Sequence, residues 1–371
     1  MRTELWTPHG RMEKLKSLVW WLSFLIACGL AVLVSEHDSI AAFARAHRDI
    51  VPLLALALVL AIPARIIALV TAFVLELLFV GWSRSSLKML LRPSASVRLD
   101  ILSILVMLLL PQRYLGYLLS FGLLFVIDAY AAQHFDLSVT RFISLWGVQM
   151  LAVILIGSLL RYWLHRMEHA VPALWALHKF HHSADQMTML TSARSTQFLK
   201  GVENGIVLLP MGLLSDPTVP ALAALGGAGL AMAGVYFVYH TFILMNGYLA
   251  HSNLETDYGW VGRWLIVSPR MHRLHHAMTA EYYDKNFSND LVIWDRLFGT
   301  YARRDPVNGP VSLPIGLEDN PFNRSDSFAG SLREYFVTTY VVFWRELRRG
   351  AAALWPARSR AAQASSNAAG S

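Results

Sequence analysis

The chain has 371 residues, of which 55% are hydrophobic and 15% are charged, and its formal net charge is +7. Soluble domains carry roughly 25% charged residues, so this composition and its recurrent apolar runs exclude a disordered chain, a collagen and a water-soluble globule. A single cysteine, Cys28, allows neither an intramolecular disulfide nor a cysteine-based zinc or iron–sulfur site. The basic balance reads as lysine and arginine on the cytoplasmic face of a membrane protein, not as a nucleic-acid surface.

In chain order, a basic N-terminal stretch precedes an apolar run from Ser17 to Ser35, long enough to cross a bilayer and without a small-x-small cleavage site. It is read as an uncleaved anchor. A second apolar region covers Val51 to Trp82, with its spanning part at Arg65 to Gly81 and Arg65 snorkelling to an interface. Arg84, Lys88, Arg92 and Arg98 then occur without an acid, which places this loop in the cytoplasm. Leu99 to Leu110 is too short to span and reads as interfacial or re-entrant, whereas Tyr114 to Ala132 and Arg141 to Leu160 are two further spans. The second ends at the basic, aromatic border Arg161-Tyr162-Trp163.

Val202 to Leu214 and Val219 to Met245 form a last apolar pair around the turn Ser215-Asp216-Pro217. Ser331 to Gly350 is patterned as an amphipathic helix lying on the membrane surface, and the Ala/Ser-rich tail from Ala351 reads as disordered. The fold class expected is all-α: a polytopic membrane bundle with a cytoplasmic, histidine-rich helical cap. Four regions follow: anchor helices at 1–98, a catalytic membrane unit at 99–304, an interfacial segment at 305–350 and a disordered tail at 351–371.

Ten of the 14 histidines fall between His165 and His276. Three clusters stand out: His165 with His169, His178 with His181 and His182, and His272 with His275 and His276. On a helix, residues three and four apart lie on one face, so each cluster projects its rings together. His240 and His251 lie between the clusters, about three helical turns apart, and share a face if the helix runs on through Asn246-Gly247. A structural or catalytic zinc takes three or four protein ligands, so eight to ten imidazoles imply two ions. Imidazole alone does not choose among iron, zinc, copper and nickel. His9, His37, His47 and His134 lie in the N-terminal stretch or in loops expected on the other side.

Other chemistries find little support. Glu168 precedes the second histidine of its pair instead of following the first, so the zinc-protease arrangement is absent. There is no nucleophile elbow, Walker loop or dinucleotide glycine fingerprint.

The text around the clusters resembles the membrane fatty acid hydroxylase superfamily, which includes sterol desaturases. The matching residues are Tyr162 to Arg166 with His169, Leu174-Trp175 before His178, His181, His182 and Ser183, then Ser268 to His276, Asn286, and Trp294 to Tyr301. The likeness covers roughly Arg98 to Tyr301. One departure is that Arg194 is followed by Ser195-Thr196-Gln197, where many relatives have Arg-x-His-Pro.

The resemblance implies two iron ions, with zinc as a possible replacement, and O2 as co-substrate. It also implies hydroxylation of a lipid C–H bond at the cytoplasmic face, with desaturation as the alternative. The implied ligands are His165, His169, His178, His181, His182, His272, His275 and His276, with His251 as a ninth and His240 as a weaker match. Asp295 and Asn286 are the foremost candidates for orienting the ligands from behind, ahead of Glu168, Asp185, Asn253 and Asp284. No cytochrome b5, flavin or iron–sulfur motif occurs in the sequence, so the partners expected are the bilayer, a lipid substrate and a separate ferredoxin- or cytochrome-type electron donor. The competing class is a non-enzymatic metal- or haem-binding membrane protein. Its carrier form would need ionisable residues along the spans, which are nearly bare of them.

Overall fold

The computed structural model describes residues 50–109, 146–207, 227–303 and 313–354. The expected spans at Ser17–Ser35 and Tyr114–Ala132, and the turn at Ser215–Pro217, lie outside them. The described residues are helical, with two isolated bridges, Ile266 to Leu291 and Ala277 to Ile315, and no β-strand. The described residues are therefore all-α.

Helix α1 (Ile50–Val80) contains Pro63, and its stretch Pro63–Val80, of mean hydropathy 2.1, is long and apolar enough to cross a membrane. Its two faces are inverted relative to a soluble helix. Ala64, Ala68, Ala72 and Glu76 repeat every fourth residue and are fully buried, whereas Ile66, Val70, Val74, Leu78 and Phe79 are exposed. Small residues on the inner stripe let a neighbouring helix approach closely, as in bilayer packing. That neighbour is α7 (Gly227–Ala250), whose Tyr248 and Leu249 join Ala68, Ala72 and Met189 in one core cluster. Glu76 closes the stripe by accepting hydrogen bonds from the Ser86 amide (2.8 Å), the Ser86 hydroxyl (2.8 Å) and the Asn253 amide (3.0 Å). It thereby ties α1 to the short α2 (Ser86–Leu91) and to the segment just after His251.

Arg65 is half-buried and donates to Met107 Sδ of α3 (Ala95–Leu109) at 3.4 Å. It faces a neighbouring helix, whereas the sequence pattern predicts that it snorkels to an interface. Leu99, Leu102 and Val106 of α3 form a second core with Phe180, Phe322 and Tyr335. The C-terminal segment is helical, as α11 (Phe328–Arg333), a π-turn at Glu334–Thr338 and α12 (Thr339–Leu354). Its pattern differs from a helix lying wholly on a membrane surface. Tyr335 and Val342 are buried, and the Tyr335 hydroxyl donates to the Ser195 carbonyl (3.0 Å). Val337, Tyr340, Val341, Trp344 and Leu347 remain exposed on other sides. The reason is that α12 packs along the helix carrying His178, His181 and His182.

Between these outer elements run α4 (Trp146–Ala170), α5 (Pro172–His182) and α9 (Pro269–His275), which carry histidines, and α6 (Gln197–Val207), α8 (Gly259–Trp264) and α10 (Ile293–Leu297), which carry none.

Candidate metal centre

Each histidine-bearing helix ends or begins where its sequence requires. Pro172 pushes the residue before it out of helical geometry. Val171 is accordingly extended (φ −98°, ψ 117°), so α4 stops just after His169 and α5 starts afresh at its proline. Helix α9 also opens on a proline, and the Ser268 hydroxyl caps it by accepting from the Met271 amide. The rings thus sit at helix ends, where they converge.

The convergence produces two groups. His165, His169, His178, His182 and His275 form one, and His181, His251, His272 and His276 form the other; within each group the ligand atoms lie within 4.8 Å of one another. This refines the sequence expectation that each cluster acts as one face. In both His-x-x-His-His clusters, the first and last histidines, four residues apart, enter one group, and the middle one enters the other. Residues i+3 and i+4 are separated by about 100° around a helix of 3.6 residues per turn, so adjacent histidines diverge. The groups adjoin: the rings of His182 and His276 stack at 4.3 Å between centroids.

The protonation pattern follows from the backs of the rings. The Nδ1–H of His165 donates to the Phe287 carbonyl (2.7 Å), that of His181 to Arg194 (3.1 Å), that of His251 to Gly247 (2.7 Å) and that of His275 to Lys285 (2.7 Å). His178 Nδ1 faces a Glu168 carboxylate oxygen at 3.1 Å. A carbonyl only accepts, so the proton is on Nδ1 and the lone pair is on Nε2. Those lone pairs then face each other: His251 and His181 Nε2 are 3.3 Å apart, and His165 and His178 Nε2 are 3.1 Å apart. His272 and His251 Nε2 approach to 2.9 Å, and His276 and His272 Nε2 to 3.2 Å. Two nitrogens bound to one ion at about 2.0–2.1 Å lie roughly 3.0–3.4 Å from each other, so the spacing is that of a coordination shell. His169 Nε2 and His275 Nε2 are buried with no hydrogen-bond partner in the structure. Facing lone pairs and orphaned nitrogens fit a cation and do not fit a hydrogen-bonded polar core.

Burial holds all nine rings neutral. The imidazoles of His165, His169, His181, His182, His272 and His276 are pushed well below the ordinary value by loss of solvent, with neighbouring rings adding to the effect. His178 and His275 fall to about 3 and His251 to about 4, again chiefly through burial. The neutral ring is the form that ligates a metal.

The structure leaves His240 out of both groups. Helix α7 does continue through Asn246-Gly247 to Ala250. Eleven residues at about 1.5 Å each carry His240 roughly 16 Å along the axis from His251, too far to share an ion.

Asp295 and Asn286 stand one step further back than a direct partner of a histidine. The fully buried Asp295 carboxylate accepts from the Phe287 amide (2.8 Å), the Ser288 amide (3.0 Å) and the Thr300 hydroxyl (2.7 Å). It therefore shapes the loop whose Phe287 carbonyl receives His165. Asn286 has a positive φ of 58°, a conformation that asparagine tolerates better than most residues. Its side chain bonds the Met271 carbonyl and both backbone groups of Ala302. Of the other candidates, Glu168 meets His178, and Asp284 lies 3.8 Å from His169 Nδ1. Asp185 is exposed, and Asn253 serves Glu76 and Met89 instead.

Sequence reasoning did not find the four orienting carbonyls, since a backbone group carries no residue signal. It also missed Asp290, which receives two nitrogens of Arg161 at 2.7 Å each and pins α4 to the same loop. The Trp294 to Tyr301 segment closes on α4 as well. Trp294 Nε1 donates to the Ser158 hydroxyl (3.0 Å), the Tyr162 and Thr300 hydroxyls pair at 3.0 Å, and Tyr162 stacks on Phe298.

A helical frame with an apolar-outward helix and two adjoining sets of imidazoles defines a class of histidine-rich candidate metal site. Comparison with known proteins narrows the class. The profile of the fatty acid hydroxylase family matches residues 150–300, and over this segment the chain is similar to that family. It is 30% identical over 183 residues to the alkylglycerol monooxygenase of Xenopus tropicalis, covering 49% of this chain and 35% of that protein. It is 31% identical over 156 residues to the Danio rerio alkylglycerol monooxygenase, 42% of this chain and 31% of that one. It is also 28% identical over 156 residues to the ornithine lipid hydroxylase OlsE of Rhizobium tropici, 42% of this chain and 41% of that one. The match thus spans well under half the length of these relatives. No solved structure matches the chain.

Proposed function

We propose that the protein is a membrane-embedded, di-iron, O2-dependent lipid oxygenase that hydroxylates an aliphatic C–H bond. The observation that carries this reading is the set of nine neutral histidines, six buried and three half-buried, in two adjoining groups. Relatives that bear the names of a monooxygenase and a lipid hydroxylase support the direction of the chemistry. An aliphatic C–H bond has no proton that a side-chain base can remove, so the bound metal pair supplies the activation of O2. The overall balance consumes one lipid C–H, one O2, two electrons and two protons, and it yields one C–OH and one water. The electrons come from a separate donor.

The chain's own residues hold and orient. The first group of histidines would take one ion and the second group the other. The carbonyls of Phe287, Lys285, Gly247 and Arg194 keep each Nε2 lone pair aimed inward. Trp175 packs on the rings of His169 and His182, and Phe287 on His165 and His169. These aromatic walls exclude water from one side of the site.

The reading includes a multi-pass topology with the site at the cytoplasmic face. The catalytic unit at 99–304 is preceded by anchor helices and followed by an interfacial segment and a tail. The outward apolar face of α1 supports a bilayer setting, and the arginines and lysines at 84–98 support the side. Comparative lipidomics under 18O2, with and without the gene, tests the activity. One labelled oxygen gained by a lipid is the result expected. A loss of two hydrogens would mean desaturation on the same site, and no lipid change would overturn the reading.

A further inference from the structure

Arg194 is the largest fully buried side chain in the described residues, and its guanidinium is completely engaged. Nε donates to the Phe180 carbonyl (3.1 Å). Nη1 donates to Asp100 Oδ1 (3.2 Å) and to the carbonyl and hydroxyl of Ser96 (3.1 and 3.0 Å). Nη2 donates to the Ser183 hydroxyl (2.7 Å) and to Asn323 Oδ1 (2.6 Å). The other oxygen of Asp100 accepts from the hydroxyls of Thr188 (2.9 Å) and Thr191 (2.6 Å). Those threonines belong to the turn that leads into Arg194, and they fix where the residue enters the core.

Two of these contacts bracket a histidine pair. Phe180 and Ser183 flank His181 and His182 at the end of α5, where helix carbonyls lack intrahelical partners. The Phe180 carbonyl also accepts from the Ser183 amide (3.3 Å) and hydroxyl (2.7 Å), and the guanidinium beside them complements the negative end of the helix. The backbone carbonyl of the same residue receives His181 Nδ1–H. One residue therefore fixes the helix end from which both rings project and the tautomer of one of them. His181 and His182 belong to different histidine groups.

We propose that Arg194 is a positioning residue of the metal centre, a single buried side chain that aligns one ligand in each of the two histidine groups through the Phe180 carbonyl and the Ser183 hydroxyl that flank them. The proposal rests on the two-ion reading given above. Lysine would keep the charge opposite Asp100 but has no planar fork with five donors, so the Phe180 and Ser183 contacts would not survive together.

The test is titration of the metal-free, full-length protein with cobalt(II) alone, read by absorption spectrum and by ions bound per chain. Arg194→Lys should stay folded, bind cobalt roughly 10–100-fold more weakly, as loss of an orienting contact does, and show shifted ligand-field bands. Asp100→Asn keeps the arginine and should show a milder version of both changes; it decides the matter if Arg194→Lys does not fold. Wild-type affinity and bands in the folded variants, with only a lower melting temperature, would make the network mere cement between α3 and α5 and overturn the proposal. A wild-type chain that binds no cobalt would instead overturn the metal-centre reading itself.

Discussion

Replacing Asp295 by alanine should separate a site held by its surrounding loop from one held by the histidines alone. The carboxylate is fully buried and is the acceptor for the Phe287 and Ser288 amides, which are themselves 2% and 1% exposed. The Thr300 hydroxyl can turn to Tyr162, with which it already pairs, but the two amides have no such recourse. A buried donor left without a partner costs about 1–3 kcal/mol, so the pair implies a loss of about 2–6 kcal/mol. For a chain of this size that is a fall of roughly 3–8 °C in the melting midpoint. The loop that moves also carries the carbonyl that orients His165, so metal affinity should fall about 10–100-fold as well. Asp295→Asn, which keeps one acceptor oxygen, should fall between the variant and the wild type. Thermal melting in detergent and metal per chain after dialysis against a graded chelator check both effects. Unchanged melting together with unchanged metal retention in Asp295→Ala would refute the reasoning.

Acid should empty the site. The rings are held below their ordinary value of 6.5, to about 3 for His178 and His275 and about 4 for His251, whereas an unfolded chain takes up these protons near 6.5. The stability they contribute is therefore complete above that pH and lost as it falls toward 3–4, and bound metal measured across the window should decline in step. His276→Ala leaves three histidines in its group of four and leaves the group of five intact; it should retain about one ion per chain, and His251→Ala should match it. His240→Ala should keep both ions, and loss of either would return that residue to the ligand set. A cysteine at the exposed position 185, on a Cys28→Ala background, should label in permeabilised cells and stay unlabelled in intact ones. Labelling from outside would place the site on the opposite face.

The site's ingredients were legible in the sequence because histidines are sparse elsewhere and their spacing is helical. His251 lies with the second group although it stands between the clusters in the chain. The division of each His-x-x-His-His cluster between two groups was available in principle from the 100° between neighbouring residues, but only the second cluster of rings makes it visible. Other features lie beyond any local pattern. Asp100 and Arg194 meet across 94 positions, and nothing near either residue marks the other. The orienting carbonyls belong to Gly247, Lys285, Phe287 and Arg194, whose side chains have no common chemistry. The inward turn of Tyr335 onto Phe180 competes with the amphipathic pattern that points Ser331 to Gly350 at a membrane, and tertiary packing wins. In α1 the reverse holds. A run that reads as evenly apolar hides a stripe of alanines ending in Glu76, which packing alone reveals.

Iron content is the most direct test of the central claim, that two adjoining histidine groups each hold a metal used for lipid oxidation. Protein purified from iron-supplemented cells, and shown in the same preparation to add oxygen from O2 to a lipid, should contain two iron ions per chain. One ion or none in a fully active preparation would contradict the account.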